Sequence, residues 1–397
     1  MHVDKSLANE RYPFTFTGSG GEYFRIWIVN VVLTVLTLYV YSAWAKVRTR
    51  RYFHGNTVLD GSSFDYHARP LQILAGRLVA VVLLVAVTFG SALDPLVSIG
   101  ATLMLLVMAP WAIWRSTIFN ARMTSYRNVR FDFHGGLGKM YLYTLVLPFL
   151  PLAAAVGASV LTASATETDG TVAVVAFVLL VLGALAFYAI APWVHRTLAA
   201  YVAGNHSYGR ASFDAMPSTT RFYAIYIKTI LVAIGVVLAA GALVALAGWA
   251  ATIAVPEWQA VVDAAEEADV QRLFALAGLL IYPLFFLVGY FVSAFFRARI
   301  RNHLYATTVV DTRVRLESTV PTWALWRLLV GNLLLLVFTL GFGWPWAKVR
   351  LAHFFARHTA ALASEGLHAV VGAEHDRQNA LGEELGDAFD TGLDVGF

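Results

Sequence analysis

NVVLTVLTLYVYSAWAKVRTRRYF, residues 30–53, decides the class of this chain. An apolar run ends at Trp44, and Lys46, Arg48, Arg50 and Arg51 follow at once. Hydrocarbon, an aromatic ring and then dense positive charge is the profile of a helix leaving a bilayer toward the cytoplasm. A near copy, NLLLLVFTLGFGWPWAKVRLAHFF, occupies residues 332–355.

Outward from that stretch the composition agrees. Of 397 residues 58% are apolar and only 14% charged, against roughly 25% charged in soluble proteins. Cysteine is absent, which excludes disulfides, thiolate metal sites and thiol nucleophiles. Ala43-Trp44-Ala45 has the small-x-small form of a signal cleavage site. The second WAKVR at 346–350, where no leader could stand, favours a retained first segment.

Runs of the length needed to cross a bilayer, about 20 residues, fall at 24–44, 71–93, 97–114, 140–161, 172–193, 222–255, 273–296 and 323–344. Basic connections alternate with acidic or neutral ones, and the positive-inside rule puts the basic ones in the cytoplasm. The ends do not obey a simple count. Eight full crossings would put Lys348, Arg350 and Arg357 opposite their counterparts after the first run. One terminal run is therefore a candidate re-entrant segment, broken near Ser42 or at Gly341, Gly343 and Pro345, and seven and eight crossings both stay open. The acidic stretch EWQAVVDAAEEADVQ, 257–271, reads as a short surface helix.

Repeats organise the rest. A shift that lays Arg48 on Arg115 also lays Trp44 on Trp111, Thr57 on Thr124, Phe64 on Phe131 and Asp65 on Asp132. A second shift brings Trp44 to Trp193 and Phe64-Asp65 to Phe213-Asp214. A third lays Asn30 on Asn332, Thr37 on Thr339 and Thr57 on Thr359. Each basic loop then changes to period two around a polar turn, as in NTVLDGSSFDYH with its Asp-Gly. The expected fold is an all-α polytopic membrane protein, a repeat-built helical bundle carrying four short cytoplasmic β-hairpins. Residues 1–362 form the membrane domain, and the acidic, Gly-containing 363–397 reads as a disordered tail.

FTGSGGEYF, TLYVYSAWAKVR, RYFHGNTVLDGSSFDY and TLGFGWPWAKVR carry a family resemblance. On them the chain resembles the YjgN-like family of bacterial inner-membrane proteins, a family of unknown function. The resemblance implies a polytopic inner-membrane protein of a Gram-negative bacterium and brings no catalytic residue. The family pattern expects Gly where this chain has Tyr39, as it has Gly341 in the second copy.

Chemistry is sparse. Trp44, Trp111, Trp193 and Trp346 with Arg48, Arg115 and Arg350 suit interfacial anchoring, or a ring of sites for anionic headgroups or a small anionic substrate. Asn30 and Asn332 suit interhelical hydrogen bonds, or a paired polar site at the bundle centre. No apolar run holds a central Asp or Glu, which disfavours ion-coupled transport. Gly18-Ser19-Gly20-Gly21 lacks the Lys-Ser/Thr of a phosphate loop. His353 and His358 are off the i,i+4 spacing of a zinc helix. No cofactor, metal or nucleic-acid pattern appears, and the chain is not expected to be an enzyme. Two functions stay open: a transport-type or lipid- and anion-binding component, and a non-catalytic scaffold recruiting partners through its hairpins. Membrane lipids are the expected partners of either.

Overall fold

The structure, a computed structural model, describes residues 10–91, 95–165, 170–254, 267–363 and 367. The acidic tail beyond 363, Leu367 apart, lies outside them, as do the acids of 257–266. The chain falls into two compact units. One comprises Met1–Thr219, His303–Thr319 and Pro345–Phe397; the other comprises Thr220–Asn302 and Val320–Trp344.

The first unit holds a closed β-barrel of ten antiparallel strands. They are β1 Glu10–Phe16, β2 Thr57–Leu59, β3 Ser62–Tyr66, β4 Thr124–Tyr126, β5 Val129–Phe133, β6 His206–Tyr208, β7 Ala211–Ala215, β8 Thr308–Val310, β9 Val314–Ser318 and β10 Thr359–Ala363. Each strand pairs with its neighbour in sequence, and β1 pairs with β10 from Glu10↔Ala363 to Pro13↔Ala360. The expectation of an all-α chain is thus corrected: the four expected hairpins are present, and with β1 and β10 they pair into one closed sheet. Strands of three to seven residues cannot hold as isolated hairpins, and closure removes every open edge. The fifth hairpin is split between the two ends of the chain.

Four tight turns occupy one rim. Asp60-Gly61 and Arg127-Asn128 have both central residues at positive φ (47° and 70°, 46° and 65°), the I′ geometry that matches strand twist. Gly209 and the pair Asp311-Thr312 serve the other two turns. Alternation follows from the pleat. Phe64, Phe131 and Phe213 turn inward, with Phe14 stacked on Phe64 at 6.1 Å and Phe131 at 6.4 Å from both Phe64 and Phe213. Asp65, Asp132 and Asp214, one position on, turn outward, and Asp132 pairs with Arg122 at 2.8 Å.

The described helices fall between strands of the chain, in five segments. The first holds α1 Gly20–Leu36 and α2 Ser42–Gly55. The second holds α3 Pro70–Ser91 and α4 Pro95–Arg122. The third holds α5 Leu137–Tyr141, one π turn at Leu142–Val146, α6 Leu147–Ala165 and α7 Gly170–Gly204. The fourth holds α8 Thr219–Ala254 and α9 Glu267–Ala306, and the fifth α10 Thr322–Phe338 and α11 Trp344–Arg357. Glu267–Gln271, expected in a surface helix, open α9.

Six stretches among the described residues are long and apolar enough to cross a bilayer: Pro70–Gly90, Ile99–Arg122, Leu137–Thr162, Gly170–Gly204, Thr219–Leu246 and Pro283–Ala306. The runs 24–44 and 323–344 are not among them. Each is broken, and each segment begins and ends at the same rim. Thr17 N–H donates to Asn56 O at 2.9 Å, and Thr319 N–H to His358 O at 3.0 Å. At about 1.5 Å per residue the 17 residues of α1 reach about 25 Å, short of a hydrocarbon core of about 30 Å. Among the described residues, six stretches thus meet the length and hydropathy of a span, and the first and last apolar runs are each interrupted instead.

The two breaks are the same device. Leu38 N–H reaches Val35 O at 3.1 Å and Tyr39 N–H reaches Thr34 O at 2.7 Å. The copies are Leu340 to Val337 at 3.2 Å and Gly341 to Leu336 at 2.8 Å. Both are Schellman motifs, with Leu38 (φ 46°) and Leu340 (φ 49°) in the left-handed position. The Thr37 hydroxyl donates back to Leu33 O at 2.7 Å and accepts from Tyr41 N–H at 2.9 Å. Thr339 does the same between Leu335 O and Gly343 N–H, at 2.5 and 2.7 Å. The first break thus lies at 37–41, not at Ser42, which begins α2.

Candidate functional site

The site is built from the start of each outgoing helix and the end of each returning one. α1 begins with a capping box: Ser19 Oγ accepts from Glu22 N–H at 3.2 Å, and Glu22 accepts from Ser19 N–H at 3.3 Å. Gly18-Ser19-Gly20-Gly21 is thus a helix start.

At the returning ends, the residue that opens the next strand bonds back one turn into its helix. Thr57 reaches Phe53 O (2.8 Å), Thr124 reaches Asn120 O (2.8 Å), Thr308 reaches Leu304 O (2.8 Å) and Thr359 reaches Phe355 O (2.6 Å). His206 Nδ1 does so with Val202 O at 2.6 Å. Each side chain satisfies a carbonyl that the helix end leaves orphaned. The recurring threonines of the sequence have this task.

A third set of bonds links each segment to the next. The residue two past each odd strand, Gly18, Ala68, Gly135, Pro217 or Val320, is buried, and its carbonyl takes a bond from the returning helix of the preceding segment. Arg51 donates to Ala68 O (3.3 Å), Trp114 to Gly135 O (2.6 Å) and Arg196 to Pro217 O (2.6 Å). Asn302 exchanges two bonds with Val320, at 3.0 and 2.9 Å. His353 Nε2 meets Gly18 O at 3.0 Å, which brings the order back to its beginning. Arg50 adds bonds to Tyr66 Oη (2.9 Å) and to Asn120, and lies over the Tyr66 ring. Sequence reading missed these interlocks because the five donors are of four different residue types; only the register after each odd strand is constant.

The expected site residues divide into two groups. Arg48, Arg115 and Arg350 are exposed on the returning helices α2, α4 and α11. Trp111 and Trp346 are about two-fifths exposed; Trp346 lies against Phe24 at 4.9 Å, and Trp44 stacks on Tyr41 at 6.1 Å. The residues sit on separate segments. Asn30 on α1 is 4% exposed and Asn332 on α10 is 8% exposed. Neither amide atom of Asn30 has a hydrogen-bond partner among the described residues. Arg77 of α3 bonds Ser42 and lies 5.9 Å from the Tyr39 ring, fixing the tip of the first segment.

Two titrating groups sit at the junction of helix and barrel. Burial holds the His54 imidazole below the ordinary histidine value, and the positive Arg50 adds to this against a smaller opposing pull from Asp65. Burial lowers His206 as well, against the opposing bond to Val202 O.

The model of a family described as "Bacterial protein of unknown function (DUF898)" matches residues 11–388. The chain belongs to the DUF898 family. It is 28% identical over 375 residues to "Inner membrane protein YjgN" of Salmonella typhimurium, covering 90% of each chain. Proteins of the same name from Escherichia coli are 24% identical over 362 residues, 88% of each chain. No solved structure matches. With six apolar helices of spanning length, this DUF898 member is a multi-pass inner-membrane protein whose relatives carry no assigned activity.

Proposed function

We propose that this protein is a non-catalytic, transport-type component of the inner membrane that binds an anionic or lipid-like molecule, with its barrel on the cytoplasmic side. The observation that carries this reading is the pair of out-and-back segments. In the chain the first lies between β1 and β2 and the last between β9 and β10. Each ends in a helix break, and each holds a buried asparagine, Asn30 or Asn332. Broken helices with polar groups at membrane depth are how carriers build solute sites. Arg48, Arg115 and Arg350 lie on returning helices, close to the barrel, where a cytoplasmic anionic surface would meet them. Side and ligand are tested separately. Ser63→Cys, Arg130→Cys and Arg315→Cys, on the outer barrel face, should react with an impermeant maleimide only in inverted vesicles. Purified protein should retain phosphatidylglycerol over phosphatidylcholine in native mass spectra. Replacing the three arginines by Gln should weaken that retention on the order of 100-fold, at about 1 kcal/mol for each basic residue. An unchanged preference would remove the anionic ligand.

A second reading, a scaffold, is favoured by the outer barrel face. Asp65, Arg130, Asp132, Arg315 and Glu317 turn outward there on a sheet with no open edge. Cytoplasmic proteins that co-purify with the chain, and are lost when Arg130 and Arg315 become Glu, would support it.

A further inference from the structure

The barrel is also closed at its turn-bearing mouth, by a residue outside the sheet. Leu367 lies four positions past the end of β10 and is only 5% exposed. Its side chain joins one apolar cluster with Leu59, Tyr126, Tyr208, Ala211, Val310 and Ala361. These residues flank the tight turns and come from strands all around the sheet, so the cluster is the inner face of the mouth. The Leu367 backbone also bonds the Tyr12 hydroxyl.

The side chains explain why there is room. Two residues deeper along the strands the inward positions are Phe131, Phe213 and Ala361, the last opposite Leu316; at the mouth they are Val129, Ala211, Val314 and Ala363, with Leu59, Tyr126, Tyr208 and Val310 beside them. Eight strands enclose a space that side chains just fill, and ten enclose a wider one. Tyr126 and Tyr208 belong to the same cluster, their hydroxyls donating to Leu59 O at 2.7 Å and Tyr126 O at 3.0 Å, so the walls that Leu367 meets are apolar with their polar ends already paired.

We propose that this mouth is a receptor for a single aliphatic side chain, and that Leu367 occupies it in cis as a stopper. A protein segment presenting a leucine-like side chain binds there only by displacing Leu367, so its apparent affinity is reduced by the fraction of time the stopper is seated.

The chain has no cysteine, so one introduced thiol reports cleanly. In full-length protein, Leu367→Cys should react with maleimide roughly tenfold or more slowly than Ser63→Cys on the outer face, because reaction requires local opening. Adding Ala361→Phe, which puts a ring into the cluster that receives Leu367, should abolish that protection. Independently, Leu367→Ala should lower the melting temperature. Millimolar N-acetyl-leucine amide should restore it, and N-acetyl-glycine amide should not. Equal labelling rates for the Leu367→Cys and Ser63→Cys variants would overturn the stopper. Absence of rescue, or equal rescue by both amides, would overturn the receptor even if Ala361→Phe fails to fold.

Discussion

Leu38 and Leu340 hold left-handed backbone at the C-terminal breaks of α1 and α10, a conformation costing a side chain about 1–2 kcal/mol. They are also among the most exposed residues, at 89% and 90%, so nothing packed is lost when they are trimmed. Leu38→Gly or Leu340→Gly should each raise stability by about 0.5–1 kcal/mol once the chain entropy of glycine is deducted, read as a higher melting temperature in detergent. Tyr39 stands at φ 74° where its copy is Gly341 at φ 90°. The first segment thus bends as the last does despite lacking the expected glycine, with Arg77 beside the Tyr39 ring. Asn30 is the opposite case, a buried amide with neither atom paired among the described residues. Asn30→Leu should stabilise the purified chain by about 1–3 kcal/mol, the desolvation cost of an unsatisfied group, while removing any ligand the site holds. A fall in stability would show that the amide is partnered in the membrane.

At the scale of elements, the helix-to-strand junctions set the pH response. Both His54 and His206 have folded values below the unfolded one, so protonation favours the unfolded chain. Their contribution is complete above about pH 6.5, the free-histidine value, and is lost as pH falls below it toward the folded values. Thermal melts between pH 8 and 5 should be flat and then decline. His54→Gln should shrink the decline; a curve unaltered by it would assign the response elsewhere. At the breaks, Thr37→Val and Thr339→Val each delete two hydrogen bonds and should cost about 1–2 kcal/mol. Much of this scale was readable beforehand. Asp60-Gly61 and the alternation around it announce a hairpin, and the copied Thr57, Thr124 and Thr359 mark equivalent junctions. The break at 37–41 was not readable. Leu-Tyr-Val-Tyr carries neither glycine nor proline, and an apolar run long enough to span looks the same whether it crosses or turns back.

At the scale of the molecule, closure was invisible because its evidence is non-local. β1 and β10 are each half of a hairpin whose partner lies at the other end of the chain, and neither has a turn beside it to betray it. The interlocks were hidden for a related reason, since Arg51, Trp114, Arg196, Asn302 and His353 do one job with unlike chemistry. The seam is directly testable. Arg11 and Leu362 are register partners, so Arg11→Cys with Leu362→Cys should form a disulfide on mild oxidation, cross-strand Cβ atoms being about 5 Å apart. Arg11→Cys with Arg130→Cys should not. A chain ending before Thr359 should aggregate, because β9 and β1 would then both present bare edges.

The seam also imposes an order on manufacture. A ribosome delivers β1 at the start and β10 only after the last helix has been handed to the membrane. The soluble half therefore stays an unfinished ribbon until every greasy segment has been placed. A segment left behind or inserted upside down would carry its strands to the wrong compartment, and the ring could not shut. Closure of the sheet thus demands that every helical segment return its strands to one compartment, and a chain with a misplaced segment would keep open edges.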